Sequence, residues 1–234
     1  MPLEPKKIFI RNMFDDIHDR YDLLNTILSF GQDKRWRRIA VKGVPSRGTI
    51  IDLCSGGGEL ALELLARNDF AGDVVLADIS PGMLSLLRTI LPSRYHERWH
   101  AVICDVENLP FKNGAFNGAI SAFSLRNLTD LRRFSAEARR VLTPGSVARC
   151  LEIAHPPNGI MASMFKLYFY RLSPLIARLF TSKSYAYRYL PKSLLSFPYQ
   201  DEVSGILGDC WRRSSYRNIC GGMAAIFSLE KGEE

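Results

Sequence analysis

From residue 49 onward, short runs rich in β-branched residues alternate with segments of helical periodicity, and this alternation restricts the fold more than any other feature. The predicted strands are 49–53, 73–79, 100–104, 119–123 and 147–153, and the predicted helices are 60–67, 83–91 and 131–142. Alternating strands and helices form βαβ units around a parallel sheet. A predicted helix at 201–210 and two runs at 213–219 and 223–229 would close it. We therefore predict an α/β fold with a doubly wound, Rossmann-like, mostly parallel sheet of seven strands.

Two segments lie outside this alternation. Residues 6–42 carry apolar side chains at spacings of three and four, as amphipathic helices do. Residues 153–200 contain no Asp or Glu, six Lys or Arg and ten of the chain's 25 aromatic residues. We predict a single domain, with amino-terminal helices in 1–47, a core in 48–153 and 201–234, and a helical cap inserted at 154–200.

Composition excludes several classes of protein. The 234 residues are 47% apolar and 24% charged, which excludes a disordered, collagen-like or coiled-coil chain. The five cysteines are scattered and lack a Cys-x-x-Cys pair, so we expect no disulfide framework, no metal site and a reducing, cytoplasmic location. The first residues lack the apolar core of a secretory signal. The most apolar stretch, 160–180, is interrupted by Lys166, Arg171 and Arg178, so we expect no membrane span.

A glycine-rich turn joins the first predicted strand to a helix, in the run Ile-Ile-Asp-Leu-Cys-Ser-Gly-Gly-Gly-Glu-Leu at 50–60. Glycines let a ligand approach the backbone closely. Asp78 ends the next strand, 20 residues after Gly58, where a carboxylate can accept hydrogen bonds from both ribose hydroxyls. Gly56, Gly58 and Ala61 also satisfy a relaxed dinucleotide fingerprint. The pattern alone therefore fits both NAD and S-adenosyl-L-methionine.

Charge separates these two cofactors. Asp52 and Glu59 flank the turn, where they would repel a pyrophosphate. S-adenosyl-L-methionine has no phosphate and carries a sulfonium and an ammonium; opposite unit charges ~4 Å apart attract by about 4 kcal/mol at an effective dielectric constant of ~20. We therefore predict S-adenosyl-L-methionine as the cofactor. Asp105, which follows the third strand, either accepts a hydrogen bond from the adenine amino group or starts a turn before Leu109.

Further blocks of sequence carry a more specific signature. They lie at 13–17, 21–25, 28–31, 78–84, 109–111, 124–130, 140–145, 189–193 and 197–198. With the glycine turn, they make the chain resemble class I S-adenosylmethionine methyltransferases and, more closely, the C-methyltransferases of ubiquinone and menaquinone biosynthesis. The chain departs from that family in having Gly-Gly-Gly-Glu at 56–59, Ser146 after Pro-Gly, and Glu-Ile-Ala-His at 152–155. The last two departures lie near the expected acceptor.

The resemblance implies the class I methyltransferase fold and C-methylation of a polyprenylated quinol, of the demethylmenaquinol or methoxy-benzoquinol type. Methylation of another small aromatic or lipid acceptor is the alternative. The implied cofactor-binding residues are Asp52, Gly56, Gly58, Glu59, Asp78, Ile79, Met83, Asp105 and Val106. The resemblance also implicates Arg126, Asn127 and Tyr21 in catalysis.

Methylation of a quinol at carbon needs loss of a phenolic proton, because this raises the electron density at the ortho carbon. An arginine pKa lies above ~12, so Arg126 would stabilise the phenolate or orient a water rather than act as a free base. Histidine is the side chain whose ordinary pKa suits a base, which makes His155 a candidate, although a lone histidine after a strand is more often structural. We expect His155, Phe165, Tyr168 and Phe169 to bind the acceptor.

The apolar cap suits a prenylated acceptor. Its basic side chains could contact anionic lipid at the membrane surface, and they are Lys166, Arg171, Arg178 and Lys183. Alternatively, the cap helices pack on the sheet or on a second subunit, as in a homodimer.

Two other classes of function remain open. The net charge of +7 and the basic cluster around Trp36 are typical of an RNA partner; the cluster comprises Lys34, Arg35, Arg37, Arg38 and Lys42. We expect no nucleic-acid partner, because no RNA-binding appendage is recognisable and the basic cap is too apolar for a phosphate track. A non-catalytic module that binds S-adenosyl-L-methionine is disfavoured because Arg126 and Asn127 are retained.

Overall fold

The computed structural model describes residues 3–157, 159–172 and 184–233, with side chains for all of these except 20–22, 24, 28, 161, 184–188 and 190. Seven strands in these ranges form one sheet in the order β3-β2-β1-β4-β5-β7-β6. They are β1 Thr49–Leu53, β2 Asp73–Asp78, β3 Trp99–Ile103, β4 Phe116–Ala122, β5 Leu142–Ile153, β6 Arg213–Ile219 and β7 Ala224–Glu230. Paired strands are parallel, except that β7 is antiparallel to β5 and β6. The predicted mostly parallel, seven-stranded sheet is confirmed.

Helices pack against both faces of the sheet. Those of the described residues are α1 Pro5–Leu28, α2 Gln32–Ala40, α3 Glu59–Leu65, α4 Pro81–Ser85, α5 Leu87–Ile90, α6 Leu131–Val141, α7 Ile160–Leu167, α8 Ser184–Leu195 and α9 Gln200–Gly208. The predicted helical segment 6–42 divides into α1 and α2, because Phe30 and Gly31 have φ angles of +52° and +73°, which an α-helix does not accommodate. The predicted helix 83–91 likewise divides into α4 and α5.

Strand β1 lies in the middle of the sheet, and its Ile50, Ile51 and Leu53 are almost fully buried. Successive side chains of a strand point to opposite faces. Accordingly, Ile51 and Leu53 belong to one hydrophobic cluster, with Phe134, whereas Ile50 belongs to the other, with Leu64. The two clusters are the two cores of a doubly wound fold.

The strand order reverses beside β1, which lies between β2 and β4. In open parallel sheets, ligands bind at such a switch point, outside the carboxyl ends of the strands. The segments that leave these ends are 54–58 after β1, 79–80 after β2, 104–107 after β3 and 123–127 after β4. The fold therefore brings the predicted cofactor residues to one edge of the sheet.

Within the described residues, the predicted cap at 154–200 consists of α7, one π-helical turn at Tyr168–Leu172 and α8. Phe165, Phe169 and Leu194 are buried in the same hydrophobic cluster as the sheet residue Ile51. Lys183 and Arg178, two of the predicted lipid contacts, lie outside the described residues. No helix in the described part of the chain is both long and apolar enough to span a membrane.

Candidate functional site

The turn between β1 and α3 requires glycine at two positions. Gly56 and Gly58 have φ angles of +56° and +91°. A Cβ atom at Gly58 would lie 2.7 Å from Leu87 Cδ2, and one at Gly56 would lie 3.0 Å from Met83 Cε. Positive φ angles and tight packing therefore both exclude larger residues. At Gly56 the backbone itself lines a cavity at the carboxyl edge of the sheet.

This cavity, whose empty space is about 870 Å³ including the solvent at its mouth, is called the polar cavity below. It is bounded by α1 and by the turns after β1, β2, β3 and β4. Eight of the nine predicted cofactor residues line it: Asp52, Gly56, Glu59, Asp78, Ile79, Met83, Asp105 and Val106. Gly58, the ninth, shapes the turn and does not line the cavity. Asn127, which was predicted to be catalytic, also lines it.

Asp52 is the most deeply buried carboxylate of the polar cavity, with no exposed surface. Neither of its oxygens makes a hydrogen bond of ordinary geometry within the described residues. Burial raises its pKa well above the usual range, and the negative charges of Glu59 and Asp78 raise it further. A cation bound beside Asp52 would favour the ionised carboxylate, because opposite charges attract strongly in a partly dehydrated site.

Asp78, at the end of β2, is fixed against the glycine turn. Its Oδ2 accepts a hydrogen bond of 2.8 Å from the backbone N–H of Gly56, and its Oδ1 accepts one of 2.8 Å from Ser80 N. Burial raises the pKa of Asp78, although these hydrogen bonds act in the opposite direction. The carboxylate is thus held at the position predicted for ribose recognition.

Helix α1 closes one side of the polar cavity through two polar contacts. Lys7 Nζ lies 2.8 Å from Asp105 Oδ2 and 2.8 Å from Glu107 Oε2. Burial alone would lower the pKa of Lys7, but the hydrogen bonds to both carboxylates raise it above its usual value. Further along the helix, Asp15 Oδ1 accepts a hydrogen bond of 2.6 Å from Ser80 Oγ and one of 2.9 Å from the backbone N–H of Gly82. Asp105 therefore already has a cationic partner, which an adenine amino group would have to share.

A second cavity of about 730 Å³, called the aromatic cavity, adjoins the polar one. Its lining residues come from α1, α2 and the turn between them, the segment after β4, β5, the cap and Met223 before β7. They include Asn25, Ser29, Phe30, Asp33, Trp36, Phe123, Arg126, Phe165, Tyr168 and Phe169. Phe123 lines both cavities, and its φ angle of +60° marks the sharp turn after β4. The Phe165 and Phe169 rings stack with centroids 5.1 Å apart, and Phe30 lies 5.1 Å from Tyr168. These contacts form an apolar, ring-lined space beside the buried carboxylates.

Arg126 reaches the aromatic cavity as part of a buried ion pair with Glu152. Arg126 is 8% exposed and Glu152 is fully buried. The guanidinium also donates to Phe123 O at 2.9 Å, and Glu152 accepts from the backbone N–H of Arg126 at 3.2 Å. Because Glu152 balances its charge, Arg126 is not a free cation facing the acceptor.

The other predicted acceptor and catalytic residues fall into three groups. Phe165, Tyr168 and Phe169 line the aromatic cavity, as expected of an acceptor site. His155 lines neither cavity. Its Nε2 lies 2.8 Å from Phe197 O, and the centre of its ring lies 4.6 Å from that of Tyr199. The side chain of Tyr21 lies outside the described residues.

The basic cluster around Trp36 is partly paired with carboxylates. Arg37 is 3% exposed, forms an ion pair with Asp33 and lies 5.3 Å from the centre of the Phe123 ring. Arg38 Nε lies 3.0 Å from Glu63 Oε2. Two of its five members are thus paired with carboxylates, which weakens the RNA alternative.

Sequence analysis missed three residues that line the two cavities, and it missed Glu152, which pairs with a fourth lining residue, Arg126. Glu152 is a carboxylate at the carboxyl end of a predicted strand, the same signal that identified Asp78. Asn25 belongs to the Tyr-Asp-x-x-Asn block but was given no role of its own. Lys7 and Phe123 gave no local signal, because their roles depend on contacts with distant segments.

Comparison with known proteins bears on both fold and family. The model of the ubiE/COQ5 methyltransferase family matches residues 3–231. The ubiquinone/menaquinone biosynthesis C-methyltransferase UbiE of Geobacter sulfurreducens is 38% identical over 95% of this chain and 88% of its own length. The demethylmenaquinone methyltransferase of Desulfitobacterium hafniense is 36% identical over 97% of this chain and 91% of its own.

Among solved structures, the chain resembles a SAM-dependent methyltransferase, described as a possible histamine N-methyltransferase, from Thermotoga maritima. The TM-score is 0.67 at 14% identity, and the match covers 94% of this chain and 99% of that one. This likeness shows a shared fold. The family match extends over nearly the whole length, and relatives more than a third identical align across it. The chain therefore belongs to the ubiE/COQ5 methyltransferase family.

Proposed function

We propose that this protein transfers the methyl group of S-adenosyl-L-methionine to a ring carbon of a polyprenylated quinol, of the demethylmenaquinol or methoxy-benzoquinol type. The observation that carries the proposal is the meeting of two unlike cavities at Phe123. One presents buried carboxylates, which suit a cationic cofactor, and the other presents aromatic rings, which suit an aromatic acceptor. Methyl transfer needs its two reactants adjacent and aligned, and adjoining cavities allow this.

The polar cavity fits S-adenosyl-L-methionine better than NAD. Asp52 and Glu59 would repel a pyrophosphate and attract a sulfonium and an ammonium. Asp78 would accept from the ribose hydroxyls, and Ile79 and Met83 would pack against the adenosine. When bound there, S-adenosyl-L-methionine supplies an electrophilic methyl group.

The aromatic cavity would hold the quinol ring among Phe30, Trp36 and Tyr168. Loss of a phenolic proton leaves negative charge on the ring oxygen and the ortho carbon, and hydrogen-bond donors stabilise that charge. Arg126, paired with Glu152, would stabilise the segment between the two cavities and donate hydrogen bonds. It would not act as a free base. Asn127 lies on the polar side of the same segment.

Exposed apolar side chains occur on segments that also line the aromatic cavity. Phe30 lines the cavity and is also 73% exposed, so the cavity opens at the protein surface. On α7, Ile160, Met164 and Leu167 are exposed at helical spacing, and the basic side chains of Lys166 and Arg171 lie in the same part of the chain. Soluble monomers seldom expose such a patch without a partner. We propose that it docks on anionic bilayers, where a prenylated acceptor dissolves.

The test is methyl transfer to a defined acceptor. Purified protein is incubated with methyl-labelled S-adenosyl-L-methionine and chemically reduced demethylmenaquinone in detergent micelles, and the extracted lipid is analysed by mass spectrometry. We expect one added methyl group on the quinol and none on the oxidised quinone, which lacks the phenolic oxygens that activate the ring carbon. A reduced benzoquinone lacking its ring methyl, assayed in parallel, identifies the preferred ring.

A matched pair of variants separates the cofactor site from general damage. Asp78→Ala should weaken S-adenosyl-L-methionine binding by about 1.5–3 kcal/mol, the usual effect of losing hydrogen bonds to a charged group. Asp73→Ala, at the other end of the same strand, should leave binding unchanged. Tight binding of NAD, or no methylation of any reduced quinol by protein that binds S-adenosyl-L-methionine, would reject the proposed function.

A further inference from the structure

The carboxyl-terminal part of α1 contributes an unusual polar group to the aromatic cavity. Asn25 lines this cavity, and its Nδ2 atom is buried without a hydrogen-bond partner among the described residues. A buried amide N–H without a partner is unfavourable, and native proteins retain few of them. Such a donor, facing a cavity, points to a ligand that accepts a hydrogen bond.

Three neighbouring residues of the cavity, Ser29, Asp33 and Arg126, already have polar partners. Ser29 Oγ lies 2.9 Å from Asp33 Oδ1, to which it donates, and it also accepts from Asp33 N at 3.1 Å. Arg37 forms an ion pair with the other oxygen of Asp33. Arg126, which lines the cavity, is paired with Glu152. Asn25 Nδ2 is therefore a neutral donor on the cavity wall that remains for the acceptor.

We propose that Asn25 Nδ2 donates a hydrogen bond to a ring oxygen of the acceptor and so fixes how the ring is turned in the aromatic cavity. This inference rests on the proposed function. A hydrogen bond to an ionised oxygen is stronger than one to a neutral oxygen, so the contact would favour the phenolate over the phenol. Asn25 would then select acceptors with an oxygen on the ring and would affect turnover as well as binding.

The direct test measures recognition of one hydroxyl group. The probes are para-ethylphenol and ethylbenzene, which differ only by that hydroxyl. Trp36 lines the cavity, so quenching of its fluorescence reports binding, and a Trp36→Phe variant identifies its share of the signal. The proteins compared are the native chain, Asn25→Ala, and Asn12→Ala, which removes an exposed asparagine from the same helix.

The four affinities of native protein and Asn25→Ala for the two probes form a cycle that isolates the hydroxyl contact. We expect the preference for the phenol over the hydrocarbon to fall roughly three- to tenfold in Asn25→Ala, as for loss of one buried hydrogen bond. Asn12→Ala should keep the native preference. Alanine favours helices more than asparagine does, so α1 should remain folded, and circular dichroism checks this.

A second measurement follows turnover. In the quinol assay, Asn25→Ala and the near-isosteric Asn25→Asp should lower kcat and leave the Kd for S-adenosyl-L-methionine unchanged. Asn25→Asp should also move the pH dependence of kcat to higher pH, because a carboxylate beside the ring oxygen disfavours the phenolate. An unchanged phenol preference in Asn25→Ala would overturn the inference even if the native protein methylates quinols. Failure of the native protein to methylate any quinol would instead reject the proposed function, whatever the probes show.

Discussion

Replacing Asp52 with asparagine keeps the shape of the side chain and removes its charge. In the folded protein, this carboxylate has no exposed surface, and burial together with Glu59 and Asp78 raises its pKa well above the usual range. Such a group is costly to the unliganded protein and useful only to a bound cation. The substitution should therefore change cofactor affinity and stability in opposite directions.

The expected loss of affinity follows from the charge pair. Opposite unit charges ~4 Å apart attract by about 4 kcal/mol at an effective dielectric constant of ~20. Part of this is offset, because binding must ionise a carboxyl group whose pKa is raised. We expect Asp52→Asn to weaken S-adenosyl-L-methionine binding by about 2–3 kcal/mol, or roughly 30- to 150-fold in Kd.

The expected gain in stability has a definite pH dependence. Because the folded pKa of Asp52 lies above the unfolded one, the folded state binds more protons between the two values, and the free energy of unfolding falls as pH rises through that interval. Asparagine removes this effect. The unliganded Asp52→Asn protein should be more stable than the native protein at pH ~7, and the difference should vanish as pH falls below ~4.

Calorimetric titration in buffers of different ionisation enthalpy measures both affinity and proton release, and urea unfolding measures stability. Native protein should release a proton when S-adenosyl-L-methionine binds at a pH below the raised pKa of Asp52, and Asp52→Asn should not. Asp73→Asn, the same change on an exposed residue, is the control. The reasoning is refuted if Asp52→Asn keeps native affinity, or if it destabilises the unliganded protein, since either result would mean that no bound cation depends on this carboxylate.

Three further variants test other parts of the protein. Lys7→Met should lower the free energy of unfolding by about 3–5 kcal/mol in urea titrations, because it leaves the buried Glu107 without its cation; a loss below ~1 kcal/mol would show that the contact is solvated. Arg126→Lys should reduce kcat while the Kd for S-adenosyl-L-methionine stays nearly constant, since an ammonium cannot replace the planar guanidinium; equal losses in both would make its role structural. Native protein should co-sediment with anionic vesicles, and Lys166→Glu with Arg171→Glu should weaken this without changing cofactor affinity. If native protein ignores such vesicles and is dimeric in solution, the apolar face is a contact between subunits instead.

The polar side of the site was predictable because its signals are local. A strand, a glycine turn and a helix are contiguous in sequence, so Asp52, Gly56 and Glu59 identify the turn together. Carboxylates at the ends of successive parallel strands meet at one edge of the sheet, which added Asp78 and Asp105. The strands also followed the pattern, although β4 and β5 begin earlier than predicted, at Phe116 and Leu142.

The aromatic side was only partly predictable because its wall is assembled from distant segments. Phe165 and Phe169 were expected from the apolar character of the cap. The ion pair between Arg126 and Glu152, and the contact of His155 with Phe197, depend on how the ends of β4 and β5 turn. A single sequence shows that these residues can do chemistry but not which of them neutralise one another. The sequence therefore predicted Arg126 as a residue that stabilises the phenolate or orients a water, but it did not indicate that Glu152 pairs with it.

Helix α1 lies outside the alternating strands and helices of the core, yet it contributes residues to both cavities. Helix α1 has 24 residues, a length of about 36 Å, and contributes Lys7 to the polar cavity and Asn25 to the aromatic one. Between them, Asp15 joins the helix to the turn that follows Asp78. A continuous helix cannot move away from one cavity without altering the wall of the other. The cofactor and acceptor sites therefore share helix α1. A local strand–turn–helix motif predicts the cofactor site, whereas no local motif predicts the acceptor site.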